Sequence, residues 1–468
     1  MMQKSSTAPL LLEPRRDYGT SDEMSEVIFL ANSSFPLIIT FFLQYSLTVV
    51  SIFSIGRIGK NELAAASLAI MTFNVTVSVC NGMATSLDTY CSQAYGAKRF
   101  DMVGLYFQRC TAMIFVIFIP IIAFWWNSGP ILNIIVQEKE LTLLAQTYLR
   151  IASFGLPGYI CFETGKRYLQ AQGIFNAGQY TLFIVAPLNL LLNYLLVWNA
   201  TFGLGFIGAP IATAVSYTIM SLVLLLYTAF IKGKDCWYGF KLQESFSQWG
   251  PMMTLSLNGT IMLLSEFIAF EILTLASSRF GTTSLASQSI VSTLATLTFQ
   301  VPFAVSVAAS TRIANSVGAG LVERAKISNK VSQGISSLIG FSSCLALILL
   351  RKEIATLFTS DLDVSKTTGK IIIVLGVNQL VDSPNIIFAG CLRGQGRQKI
   401  GSKLNLISYY LIALPCSFYF GFHIGYELVG LWIGLGIGIA TLTISEYCVL
   451  LHSNWIQITK EADKRNAL

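Results

Sequence analysis

The chain has 468 residues, of which 53% are hydrophobic and only 12% charged, whereas soluble domains carry about 25% charged residues. That balance leaves almost nothing for a soluble domain and confines any function to a membrane interior. The net charge of +7 follows from where basic residues fall along the chain, so it calls for no nucleic-acid partner.

Taken in chain order, residues 1–26 are polar and of mixed charge, without the apolar core of a signal peptide; they read as a flexible cytosolic tail. Apolar stretches matching the ~20 residues needed to cross a bilayer then recur. They fall at 27–55, 62–90, 103–127, 141–164, 176–198, 203–231, 249–278, 283–311, 327–350, 369–392, 403–425 and 427–451. The spacing predicts an all-α polytopic membrane protein with twelve transmembrane helices, divided into an N-lobe (27–231) and a C-lobe (249–451). The connecting segment 232–248 is basic and rich in Trp and Tyr, a composition suited to the headgroup layer. Residues 452–468 form a second polar tail. About 22 of the 31 Lys and Arg fall on the side of the N-terminus and the even-to-odd loops, and about 8 on the other. The excess of positive charge marks the cytosolic side, so both termini are expected there, in the plasma or vacuolar membrane.

The two lobes repeat each other. Gly56-Arg57-Ile58-Gly59 aligns with Ser278-Arg279-Phe280-Gly281, Leu63-Ala64 with Leu285-Ala286, and Gly96-Ala97 with Gly318-Ala319, all at an offset of 222 residues. Leu169-Gln-Ala-Gln-Gly173 answers Leu392-Arg-Gly-Gln-Gly396 one residue out of step. Six spans per repeat is an even number, so both halves enter from the same face, and a parallel repeat relates them by an axis along the membrane normal. Gly430, Gly434 and Gly438 place small residues on one face of the last span, where another helix backbone can approach. Pro36, Pro120, Pro157, Pro187, Pro302 and Pro415 lie within spans and mark kinks.

The chemistry lies in carboxylates at mid-membrane. Glu266 and Glu271 occupy the seventh span, and Asp382, flanked by Asn378 and Gln379, the tenth. A charged carboxylate at the centre of a transmembrane helix costs about 2.5–3.5 kcal/mol on insertion scales, so it faces a wet cavity, finds a partner or stays protonated. Five residues turn a helix through about 140° beyond a full circle, so Glu266 and Glu271 do not face one point. Glu266 and Asp382 are therefore the expected proton-coupling pair, with Glu271 as a gate or supporting group. Asp88 and Glu163 near span ends, and Glu446 in the last span, read as structural acids. Gln44, Tyr45, Phe267, Gln288, Asn378 and Tyr409 are candidate cavity-lining, solute-binding residues. Gln44 stands opposite Glu266 in the repeat, the point at which the copies diverge. Nine scattered cysteines with no C-x-x-C pair, and two histidines without a metal-binding spacing, signal neither a metal site nor a disulfide framework. No cofactor is expected, no phosphate-binding G-x-x-x-x-G-K-[ST] loop occurs, and no enzymatic motif is present.

The segment Gly82-Met-Ala-Thr-Ser-Leu-Asp-Thr-Tyr-Cys-Ser-Gln-Ala-Tyr-Gly-Ala97 resembles the second-helix signature of eukaryotic multidrug and toxic compound extrusion (MATE) transporters. Gly390-Cys-Leu-Arg-Gly-Gln-Gly-Arg-Gln-Lys-Ile-Gly401 resembles the segment after that family's tenth helix, and Ser265-Glu-Phe-Ile-Ala-Phe-Glu271 its seventh-helix two-glutamate motif. Lys166-Arg-Tyr-Leu-Gln-Ala-Gln-Gly-Ile-Phe175 is similar to the fungal, ethionine-resistance type of the family. The resemblance implies proton-driven export of small organic, cationic or amphipathic solutes by alternating access, in a monomer. It matches Glu266 and Asp382 to the C-lobe coupling acids. Two departures stand out: Phe267-Ile268 replaces the paired Trp of many plant and animal members, and no acid lies between Glu26 and Glu62 where several bacterial members carry an Asp. Movement of lipid-linked substrates by a related two-lobed fold is the alternative. It calls for a cationic central cavity, whereas basic residues at mid-span are scarce.

Overall fold

The computed structural model describes residues 21–135, 138–199 and 203–467; most of the expected N-terminal tail lies outside the described residues. Among the described residues the structure is helical, with no strand. The long helices are α1 (Ser21–Gly56), α2 (Lys60–Gly96), α3 (Phe100–Trp126), α4 (Lys139–Ala152 continuing as Leu156–Ala171), α5 (Asn176–Trp198) and α6 (Gly205–Phe230). The second half supplies α7 (Trp249–Phe280), α8 (Thr282–Gly318), α9 (Val322–Leu349), α10 (Leu362–Gln395), α11 (Gln398–His423) and α12 (Glu427–Leu451). Large apolar side chains such as Leu225, Leu338 and Phe341 stand exposed on outer helix faces, as bilayer-facing residues do, and the chain is an integral membrane protein.

Eleven of these helices are long and apolar enough to cross a membrane; the expected twelfth, α4, is less apolar, carrying Arg150, Glu163, Lys166 and Arg167, and contains one tighter turn. Its two pieces are joined by a tight turn at Ser153–Gly155, and Pro157 sits in the first turn of the second piece. Proline has no N–H to donate, so the hydrogen-bond ladder tightens for one turn there while the backbone stays right-handed helical through Leu156. In α11, Pro415 lies between two segments wound more widely than an α-helix, Ile407–Ala413 and Tyr419–His423. The glycine ladder of α12 serves this irregular helix. A Cβ on Gly430, Gly434 or Gly438 would land 2.5, 2.1 and 2.2 Å from Phe420, Ser417 and Ala413 of α11, so only glycine lets the two backbones meet.

The repeat is visible in the contact between the halves. A Cβ on Gly96 of α2 would strike the Asn315 carbonyl of α8 at 2.0 Å, and one on Gly318 of α8 would strike the Gln93 carbonyl of α2 at 2.0 Å. Gln93 and Asn315 are related by the same 222-residue offset as the two glycines. The α2–α8 contact is thus self-complementary, as contacts about a two-fold axis are.

Cross-lobe hydrogen bonds gather at the face where α1 begins and α12 ends. Thr89 Oγ1 donates to the Arg393 carbonyl (2.6 Å), Gln398 Nε2 to Thr89 Oγ1 (2.9 Å) and Ser256 Oγ to the Met83 carbonyl (3.1 Å). Glu26, 1% exposed near the start of α1, accepts from Arg312 and Ser328 and pairs with Arg324. A helix beyond the last span, α13 (Trp455–Ala467), straddles this seam. Trp455, Ile458 and Ala462 pack into a core shared by both halves, while Arg465 and Asn466 bond to Gln93 and the Arg465 carbonyl accepts from Tyr106.

Candidate functional site

Three helices of the second half, α7, α10 and α12, carry acids within their spans. Glu266 and Glu271 lie on α7 and Asp382 on α10, all half-buried. Pro384, two residues after Asp382, interrupts the backbone ladder of α10, which loosens the helix beside the carboxylate. Glu266 and Asp382 are within electrostatic reach of each other, and neither has an ion-pair partner among the described residues. Gln379 Nε2 stands 3.5 Å from Asp382 Oδ2, the outer limit of a hydrogen bond. Tyr409 of α11 is 1% exposed, its hydroxyl makes no hydrogen bond among the described residues, and Glu266, Asp382 and Glu446 all lie within its electrostatic reach.

The other candidates divide by surroundings. Gln288 is buried, donating to Thr274 and Ser292 and accepting from Trp432 Nε1 (2.8 Å). Asn378 is buried as well, donating to the Trp432 carbonyl (2.9 Å). These bonds fix α12 against α8 and α10. Phe267 is 45% exposed. In the first half Gln44 donates to Glu163 Oε1 (2.8 Å) and accepts from Lys166 Nζ (3.2 Å), with Tyr45 half-buried beside it. A separate small cleft in this half is lined by Thr48, Ser51, Asn74, Tyr148, Thr213 and Tyr217 among others.

The acids read as structural in the first half belong to a buried charge cluster. Glu163 is held by Lys166 (2.9 Å) and Arg167 (2.9 Å), and Arg167 reaches Asp88 at 3.3 Å. The spacing of Glu163 from Lys166 and Arg167 is the i,i+3 and i,i+4 spacing of helix ion pairs, and that signal was present in the sequence. Arg150, by contrast, forms no ion pair among the described residues; its Nε donates to the Trp126 carbonyl at the end of α3 (2.8 Å). Glu446 differs from both. It is 0% exposed, and neither carboxyl oxygen has a hydrogen-bond partner among the described residues.

Two pseudo-symmetric helical lobes that meet at one membrane face, with unpaired carboxylates inside one lobe, define a duplicated polytopic membrane protein of transporter architecture. Comparison with known proteins agrees. The MatE family model matches residues 36–195 and again 260–419, and the chain belongs to that family. An uncharacterized transporter of Saccharomyces cerevisiae is 44% identical over 94% of this chain, and the chain spans 63% of that relative's length. Human multidrug and toxin extrusion protein 1 is 31% identical over 94% of this chain and 77% of its own. The crystal structure of the eukaryotic MATE transporter AtDTX14 superimposes with a TM-score of 0.88 at 26% identity, covering 95% of this chain and 99% of that one.

Proposed function

We propose that the chain is a secondary antiporter that exports small organic solutes in exchange for protons, its two lobes alternating about a central site. The observation that carries this reading is the Glu266–Asp382 pair, two carboxylates in mutual reach inside the membrane with no cation paired to either among the described residues. Two carboxylates in one site can share a proton. Proton occupancy there changes the charge that a lobe carries between its two states. A ligand drives such an exchange only through unequal affinity for those states. The Lys and Arg distribution supports cytosolic termini, so the joined face is the cytosolic one and the solute leaves through the opposite side.

In sealed vesicles with an imposed pH gradient, Glu266→Gln and Asp382→Asn are each expected to abolish gradient-driven export of an organic cation while insertion into the membrane is retained. Undiminished gradient dependence in both variants rejects the assignment.

A further inference from the structure

Two hydrogen bonds hold the joined face in a pattern that the repeat explains. Gln93 Nε2, near the end of α2, donates to the Gly394 carbonyl of the C-lobe (3.2 Å), and Asn315 Nδ2, near the end of α8, donates to the Ala171 carbonyl of the N-lobe (3.3 Å). Gln93 and Asn315 are repeat partners at the 222-residue offset, and Ala171 and Gly394 are partners within the Leu169–Gly173 and Leu392–Gly396 segments. One amide from each lobe therefore clasps the other lobe at the same place, as a two-fold relation requires. The clasps differ in the second amide atom. Asn315 Oδ1 has no partner among the described residues, whereas Gln93 Oε1 accepts from Arg465 Nε of α13 (3.2 Å).

That bond belongs to a helix whose two ends are unlike. Trp455, Ile458 and Ala462 are buried, and α13 packs on α8 and α9 of the C-lobe. The elbow before it is tied to the same lobe, where Arg397 donates to Ser453 Oγ (3.1 Å). Its last turn instead reaches the N-lobe by polar contacts. Arg465 and Asn466 bond to Gln93, and Tyr106 Oη of α3 donates to the Arg465 carbonyl (3.0 Å). The Arg465 guanidinium lies over Gly396, where a Cβ would come within 2.7 Å of Nη2, so the glycine ending the Leu392–Gly396 segment leaves room for it. Nη2 is buried with no partner among the described residues, and the acceptor of Nε is a neutral amide. A cation dried at one N–H and bonded to a neutral group is held less firmly than one in a buried ion pair, so this end of the helix is the one that can let go.

We propose that α13 is a strap that travels with the C-lobe and locks the joined face, and that Arg465 is the positioning residue for the Gln93 clasp. A guanidinium only donates, so it selects the Oε1 end of the Gln93 amide and leaves Nε2 for the Gly394 carbonyl. When the lobes part, the apolar face of α13 stays on α8 and α9, while the bonds of Arg465 and Asn466 to Gln93 and of Tyr106 to Arg465 break. The Asn315 clasp has no such hold on its amide and is the weaker of the two. The strap thereby sets how much of the protein stands open at this face. The inference rests on the alternation of the two lobes in the proposed function and does not depend on the assignment of Glu266 and Asp382.

The test is the distance between spin labels at the exposed positions Asp101 of α3 and Lys399 of α11, each changed to Cys, with the full chain in lipid nanodiscs. Cys161, Cys344, Cys416 and Cys448, the native thiols that are not buried, are replaced by Ser. The ratio of long- to short-distance populations reads open against closed. Arg465→Met is expected to raise that ratio roughly tenfold, the equivalent of one hydrogen bond to a charged group, and Arg465→Lys, which keeps a donor, by less. Gln93→Leu should raise it as well, and adding Arg465→Met to Gln93→Leu should change it little, because both act through one contact. Added to Asn315→Leu, Arg465→Met should again multiply the ratio, because the two clasps are separate. A chain ending at Asp463 is expected to open like Arg465→Met and decides the matter if that variant does not fold. An unchanged ratio in either overturns the strap, and multiplying effects of Gln93→Leu and Arg465→Met overturn the positioning role. If the parent and every variant keep one distance while gradient-driven export persists, the lobes do not part at this face and the strap falls with that motion. The Glu266–Asp382 reading fails separately, through undiminished gradient dependence in its own variants.

Discussion

At the scale of single residues, the two lobes treat buried acids in opposite ways. Glu163 accepts from Gln44, Lys166 and Arg167, so its charge is matched within hydrogen-bond distance. The repeat places Lys166 and Arg167 opposite Ala389 and Gly390 in the C-lobe, and there Glu266 and Asp382 go without cations. Removing one member of a buried, bonded pair leaves its partner charged and dry, at about 3–5 kcal/mol. Glu163→Gln is therefore expected to lower stability by roughly that amount. Glu266→Gln strands no cation and is expected to leave the melting temperature in detergent unchanged or raised. Equal losses of melting temperature in both variants would refute this division.

Elements meet where glycine removes the obstacle. The α2–α8 crossing depends on Gly96 and Gly318, each facing a backbone carbonyl that cannot retreat as a side chain can. Gly96→Val and Gly318→Val are expected to force the lobes apart at the joined face. Either should increase, several-fold, the labelling by a membrane-impermeant maleimide of a cysteine placed at Thr89, applied from that face. Unchanged labelling would mean that the helices re-register at no cost. The tighter turn in α4 and the wide winding of α11 belong to this scale as well. Both lie beside prolines that the sequence displays, yet sequence alone did not say that a tighter turn would precede Pro157 while Pro36, Pro120, Pro187 and Pro302 would sit inside regular α-helices.

For the whole molecule, the hydrogen bonds from Thr89, Gln93 and Gln398, with α13 laid across them, describe a protein joined at one face. Alternating access requires those contacts to break in each cycle. A disulfide between cysteines introduced at Thr89 and Gln398, where Gln398 Nε2 now lies 2.9 Å from Thr89 Oγ1, should halt export under oxidation and release it on reduction. A Cys448→Ser background removes the exposed native thiol. Continued export with the cross-link formed would show that the lobes do not separate there.

The sequence by itself determined the membrane setting, the duplicated architecture, the family and the acids of the C-lobe. Apolar length, repeat offset and a carboxylate at mid-span are all properties of linear order. The tertiary structure decided which acids are matched. Asp88 and Glu163 looked like the Glu446 of a different helix until packing gave the first two cations and left the third with none in bonding distance. Tyr409, Glu446 and Arg393 come from three successive helices, α10 to α12. Linear order carries no trace of their convergence, because neither burial nor hydrogen-bond satisfaction exists before the helices pack.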